Sequence, residues 1–306
     1  MLKDVVQVIL RNQGTQGYET IYSSTDVEIE TELLHLLLPR AVTNKKNPNY
    51  FFKYPINKDF TLIKLVQDDG LDPYKRYKAK VILFIVPNDD YESVGGLEYF
   101  ASPLWLQTIT TEINYPLDYE KDFEKLPENE SFDRGKFTTL FHELLLDKLL
   151  LYQQVILILD ETENFDQNRV FLLQSLAFID NKLPSFFRSQ ISIKSLANKV
   201  NYDLANCIVL QGNEEQLEIS EETFILHYPL LQSEKDYEIE TGELPSKMLR
   251  SKSYEELESI GATLLRSKIV QKEELVPQDS YNKLTHRFGI RDKNLFNRLF
   301  RNFNFR

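Results

Sequence analysis

Apolar and polar residues alternate from Asp4 to Leu10, around Val6, Val8 and Leu10, and the string NQGTQG follows with Gly14 and Gly17 free to take positive φ, so the pattern predicts a strand running into a turn. From Asp26 to Leu38 the spacing becomes helical through Val27, Leu33, Leu34, Leu37 and Leu38, ahead of Pro39. Two β-rich runs, Asp59 to Val66 and Arg76 to Val86, flank QDDGLDPYK, whose Asp-Gly and Asp-Pro pairs mark a turn and predict an antiparallel hairpin. Beyond an acidic connector from Asn114 to Asp133, the spacing predicts helices over Lys136 to Leu151 and Val170 to Ile179. Strands are predicted over Val155 to Leu159, Gln190 to Ile193 and Cys207 to Leu210. Two more helices are predicted from Tyr254 to Val270 and from Asn294 to Phe303. Helices and strands mix without a regular βαβ alternation, and no internal repeat is visible. The expected class is α+β: a hairpin-rich mixed sheet with packed helices and a helical C-terminal segment.

Composition supports a folded core: 42% of the 306 residues are hydrophobic, with 20 Phe and 16 Tyr against 10 Gly and 12 Pro. The net charge of −11 argues against nucleic acid as a partner for the body, since affinity for phosphates comes from clustered Lys and Arg. That charge is unevenly distributed. Residues 246–306 hold 13 Lys and Arg against 7 Asp and Glu, a net +6, which leaves −17 on the first 245. Gly242 and Pro245 mark the expected boundary between an α+β core domain, 1–245, and a basic helical segment, 246–306. The one cysteine, Cys207, lies in the apolar run NCIVLQ and is expected to be a buried thiol. The N-terminal MLKDVVQVIL has no leader-like apolar region. The longest apolar stretch, Leu144 to Leu159, is broken by Asp147, Lys148, Gln153 and Gln154, so no transmembrane segment is expected and the expected compartment is the cytoplasm.

Chemical motifs begin here and do not complete. Asp160-Glu161 end an apolar strand as in the acidic half of an ATPase site, but no GxxxxGK[ST] phosphate loop exists among the glycines, and capping of the following helix is the expected role. His142-Glu143 open an HExxH pattern whose second ligand position is Leu146, which removes the paired imidazoles a zinc protease needs. No GxSxG elbow, CxxC pair or GxGxxG fingerprint occurs. No catalytic residue, metal ligand or cofactor is therefore assigned. The enzyme alternative is a metal-dependent hydrolase or nuclease using scattered carboxylates. Leu183, Pro184, Phe187 and Arg188 form an expected structural turn: proline stops the helix, Phe186 and Phe187 plug the core, and Arg188 satisfies helix-terminal carbonyls or a buried carboxylate.

The C-terminal arm is the candidate partner-binding element. Between Lys283 and Arg306, seven Lys and Arg face only Asp292, and Leu295, Phe296, Leu299, Phe300 and Phe303 recur at helical spacing. Arg291, Lys293, Arg298 and Arg301 complete an amphipathic basic surface suited to a protein partner or a second copy, with an anionic membrane or nucleic acid as alternatives.

Three strings taken together carry a family likeness: QVILRNQGTQGYETIYSSTDV, NPNYFFKYPINKDFTLIKLVQDDGLDPYKRYKAKVILFIVP, and LLQSLAFIDNKLPSFFRSQISIKS. Their order resembles the N-terminal domain of the bacterial GTPase-associated protein family, found with conflict and effector systems, through scattered anchors over residues 5–211. The chain departs from that pattern at Lys78-Ala79-Lys80, where a Gly and a His-containing run are expected. The resemblance implies a non-catalytic adaptor in a prokaryotic antiviral defence assembly, working beside a GTPase or ATPase partner.

Overall fold

The computed structural model describes residues 2, 4–13, 16–24, 42–43, 49–56, 59–106, 116–124, 136–151, 154–159, 165–197, 207–211, 223–228 and 238–266. The predicted helix over Asp26 to Leu38, the Asp160-Glu161 pair and the whole arm from Lys283 to Arg306 lie outside these residues. The class is α+β, as the pattern of elements predicts. Two compact units share the chain: the first takes in Met1–Tyr91 and Phe100–Glu124, the second Glu92–Tyr99 and Lys125–Val276.

The first unit is built on an antiparallel sheet. Strands β1 (Val6–Asn12), β2 (Tyr18–Ser23), β4 (Tyr50–Pro55), β5 (Phe60–Leu71) and β6 (Tyr77–Pro87) lie in the order β4-β5-β6-β1-β2, and the short β3 (Val42–Thr43) pairs with β6. The predicted hairpin is β5–β6, longer than the pattern indicates at its tip end and paired from Phe60↔Pro87 to Leu71↔Tyr77, with a shift in register between Asp68 and Leu71. Burial on both faces explains why β6 reads as the unbroken run VILFIV: residues Ala79 to Val86 are all buried. On the face bearing Phe84, the rings of Tyr91, Phe100, Tyr119 and Phe123 form a cluster, with Tyr91 stacked on Phe100 at 6.1 Å and Phe123 edge-on to Phe84 at 5.8 Å. Gln7, on the same face of β1, holds the 117–119 segment there. Its amide donates to the Leu117 carbonyl and accepts from the Leu117 N–H at 2.7 Å. Short helices α1 (Asn88–Ser93), α2 (Gly96–Phe100) and α3 (Ser102–Trp105) follow β6.

The second unit contains a parallel sheet that the sequence pattern does not announce. Strands β7 (Gln154–Leu159), β8 (Ile193–Ala197), β9 (Cys207–Gln211) and β10 (Thr223–Tyr228) stand in the order β10-β7-β9-β8, with β7 pairing in parallel with β9 and β10. The strand expected over Gln190 to Ile193 begins only at Ile193. Residues 187–191 instead form a hydrogen-bonded turn, with the Ile191 N–H donating to the Phe187 carbonyl. Helices α4 (Lys136–Leu150) and α5 (Phe165–Lys182) belong to this unit, together with α6 (Ser185–Arg188), α7 (Leu244–Arg250) and α8 (Tyr254–Arg266). The expected 245/246 boundary falls inside α7, with Pro245 in its first turn. Asp147, fully buried on α4, accepts from the N–H groups of Glu240 and Thr241 and from the Thr241 hydroxyl, which fixes the turn leading into α7. Cys207 is fully buried, and burial pushes its thiol well above the usual range. Among the described residues no helix is long and apolar enough to cross a membrane.

Candidate interaction site

His142 is buried on α4 at 3% exposure, and that burial pushes its imidazole down to about 3; Leu146, one turn on, is buried as well. Among the described residues no group of three or more His, Cys, Asp and Glu side chains could hold a metal.

The turn at Leu183–Arg188 is a fastened corner. Leu183 and Phe187 are fully buried, whereas Phe186, expected to share the core, is 42% exposed and meets Phe187 edge-on. Arg188 donates to the carbonyls of Asp180, Asn181 and Leu183, the groups left over where α5 ends. Glu258 of α8 accepts from the Ser185 N–H at 2.7 Å and from its hydroxyl at 2.9 Å. The close approach of the two elements requires a glycine, because a Cβ at Gly261 would sit 2.6 Å from Cβ of Pro184.

A different place presents recognition chemistry: the tip of the β5–β6 hairpin. There QDDGLDPYKR folds around its three aspartates. Gly70, at φ +77°, supports an irregular step in the ladder between Asp68 and Leu71, and Asp69 comes to lie among three cations. Arg11 of β1 donates to it through Nε at 3.0 Å and Nη2 at 3.2 Å, while Lys78 and Lys80 of β6 lie at 3.6 and 3.9 Å. The Asp69 and Lys80 side chains are each 1% exposed. Burial is the main cause that pushes the Lys80 ammonium down to about 8; Arg11 and Lys78 push the same way, and Asp69 opposes them.

The loop itself is ordered by one carboxylate. Asp72 Oδ1 accepts from the N–H groups of Tyr74 at 2.8 Å and Arg76 at 2.9 Å, and Oδ2 accepts from the Arg76 guanidinium at 2.9 and 2.6 Å. Its burial would raise its pKa, but these donors outweigh that and hold it below the usual carboxylate range. Asp at the first and Pro at the second turn position suit the bend, the Lys75 N–H closes it onto the Asp72 carbonyl at 2.9 Å, and Lys75 then takes φ +60°. The Arg76 guanidinium lies over the Tyr74 ring at 5.2 Å. Tyr74 is 77% exposed and Leu71 51%, the two most exposed large apolar side chains among the described residues. An aromatic, a leucine and an arginine are thus held outward in one fixed arrangement. The signals in the sequence were the Asp-Gly and Asp-Pro pairs and the alternation of Lys78 and Lys80. They mark a turn and a charged strand end, but do not say that the aspartates turn inward.

Comparison with known proteins gives no match, either to a family model or to a curated protein.

Proposed function

We propose that this chain is a non-catalytic interaction subunit that engages a protein partner through the β5–β6 tip. The observation that carries the reading is the pre-ordered display of Tyr74, Leu71 and Arg76. Tyr and Arg are the residues on which binding energy concentrates at protein interfaces, and a loop already held by Asp72 loses little conformational freedom on docking. The resemblance to the GTPase-associated family extends the proposal to an adaptor in a prokaryotic defence assembly with a GTPase or ATPase partner. The basic arm, including Arg298, Phe300 and Arg301, is a second docking element within that proposal. Full-length tagged protein and its Leu71→Ser/Tyr74→Ser variant, captured from the same host, test it. Partners held by the parent and lost by the variant, at equal melting temperature, support the reading. An identical set of captured proteins refutes docking through the tip.

A further inference from the structure

We infer that the partner segment seated on the β5–β6 tip is an acidic polypeptide carrying an apolar side chain; this deepens, and rests on, the interaction reading above. By sequence the stretch from Asp68 to Lys80 is nearly balanced in charge, but the fold buries two of its three carboxylates. Asp69 and Asp72 are spent inward, each with a side chain 1% exposed, and the Asp68 Oδ1 atom is buried. Arg76, Arg11 and Lys78 lie half-buried over those carboxylates, at 30%, 26% and 23% exposure, and Lys75 stands in solvent at the apex. With Arg11 from β1, the tip holds five cations against three aspartates, a local positive excess on a chain of net −11. A local positive excess with Lys75 exposed at its apex steers an oppositely charged partner, and the exposed apolar residues supply the area it buries. An exposed leucine on the same hairpin tip as the tyrosine favours a polypeptide over single-stranded nucleic acid, whose bases stack on aromatic rings and gain little from an aliphatic side chain.

The probe is a fluorescein-labelled peptide of Glu-Glu-Leu repeats, titrated with the full chain and read by anisotropy, beside a Lys-Lys-Leu peptide and a labelled oligo-dT. The expected result is binding of the acidic peptide alone, weakening as salt rises from about 50 to about 300 mM. Lys75→Glu should weaken binding by about tenfold and Lys75→Gln by less, with melting temperatures unchanged because the Lys75 side chain is exposed. Absence of binding, equal binding by both Lys75 variants, or binding of oligo-dT in place of the peptide overturns the inference. If Leu71→Ser/Tyr74→Ser still strips partners in the host while the acidic peptide fails to bind, the adaptor reading stands and the acidic-partner inference falls. If the peptide binds through Lys75 but no captured partner depends on the tip, the inference stands as a binding property and the adaptor reading falls.

Discussion

Replacing His142 with leucine should flatten the acid side of the stability profile. In the folded protein the imidazole stays neutral down to about pH 3 because it is buried at 3% exposure, whereas in the unfolded chain it takes a proton near pH 6.5. The sign follows from proton counting. Below pH 6.5 the unfolded state binds a proton that the folded state does not, so stability falls as pH falls, until the folded group also titrates near pH 3. Between pH 7 and pH 5 the linkage costs about 2 kcal/mol, a figure that barely changes if the folded value lies anywhere below about 4. Urea unfolding at pH 7, 6 and 5, with wild type and His142→Leu measured side by side, isolates this contribution from the carboxylates, which titrate in both proteins. The wild type should lose about 2 kcal/mol more than the variant over that interval. Equal losses would mean that His142 is accessible to protons in the folded state, and the placement of α4 against its neighbours would be wrong. Zinc added at neutral pH should leave wild-type unfolding unchanged if the group is a core histidine. Stabilisation by zinc that disappears in His142→Leu would reinstate a ligand role.

Phe187→Ala should cost about 3–5 kcal/mol, from lost burial plus the cavity left behind, and lower the melting temperature of the second unit by roughly 6–20 °C. Phe186→Ala, at a 42% exposed neighbour, should cost less than about 1 kcal/mol, and equal effects in calorimetry would refute the assignment of the buried ring. The depressed Lys80 ammonium means that the unfolded chain binds more protons between about pH 8 and the free lysine value near 10.4, so its contribution to stability rises with pH across that window. Lys80→Met should remove this rise. The comparison is best made below pH 10, because burial holds the Tyr18, Tyr50 and Tyr54 phenols well above their usual range and their contribution is lost once unfolded tyrosine ionises.

What the sequence determined by itself was local. The β5–β6 hairpin was legible because both strands are β-rich and the turn residues between them encode the reversal within a few positions. Helices α4, α5 and α8 were legible from helical apolar spacing, and the end of α5 from Leu183-Pro184. The two-sided burial of β6 was implicit in VILFIV. Tertiary structure decided the rest, because it depends on partners far along the chain. Nothing within QVILIL says that it will lie parallel to Thr223–Tyr228, 69 positions on in the Gln154↔Thr223 pair, or to Cys207–Gln211. Likewise a string with three aspartates reads as a solvated acidic turn. Only the irregular step at Gly70, Arg11 arriving from β1, and the Asp72 hydrogen bonds convert it into an ordered tip with Asp69 and Asp72 inside. Periodicity records which side of an element is apolar. The direction in which a short charged loop spends its hydrogen bonds is set by the groups the fold brings beside it.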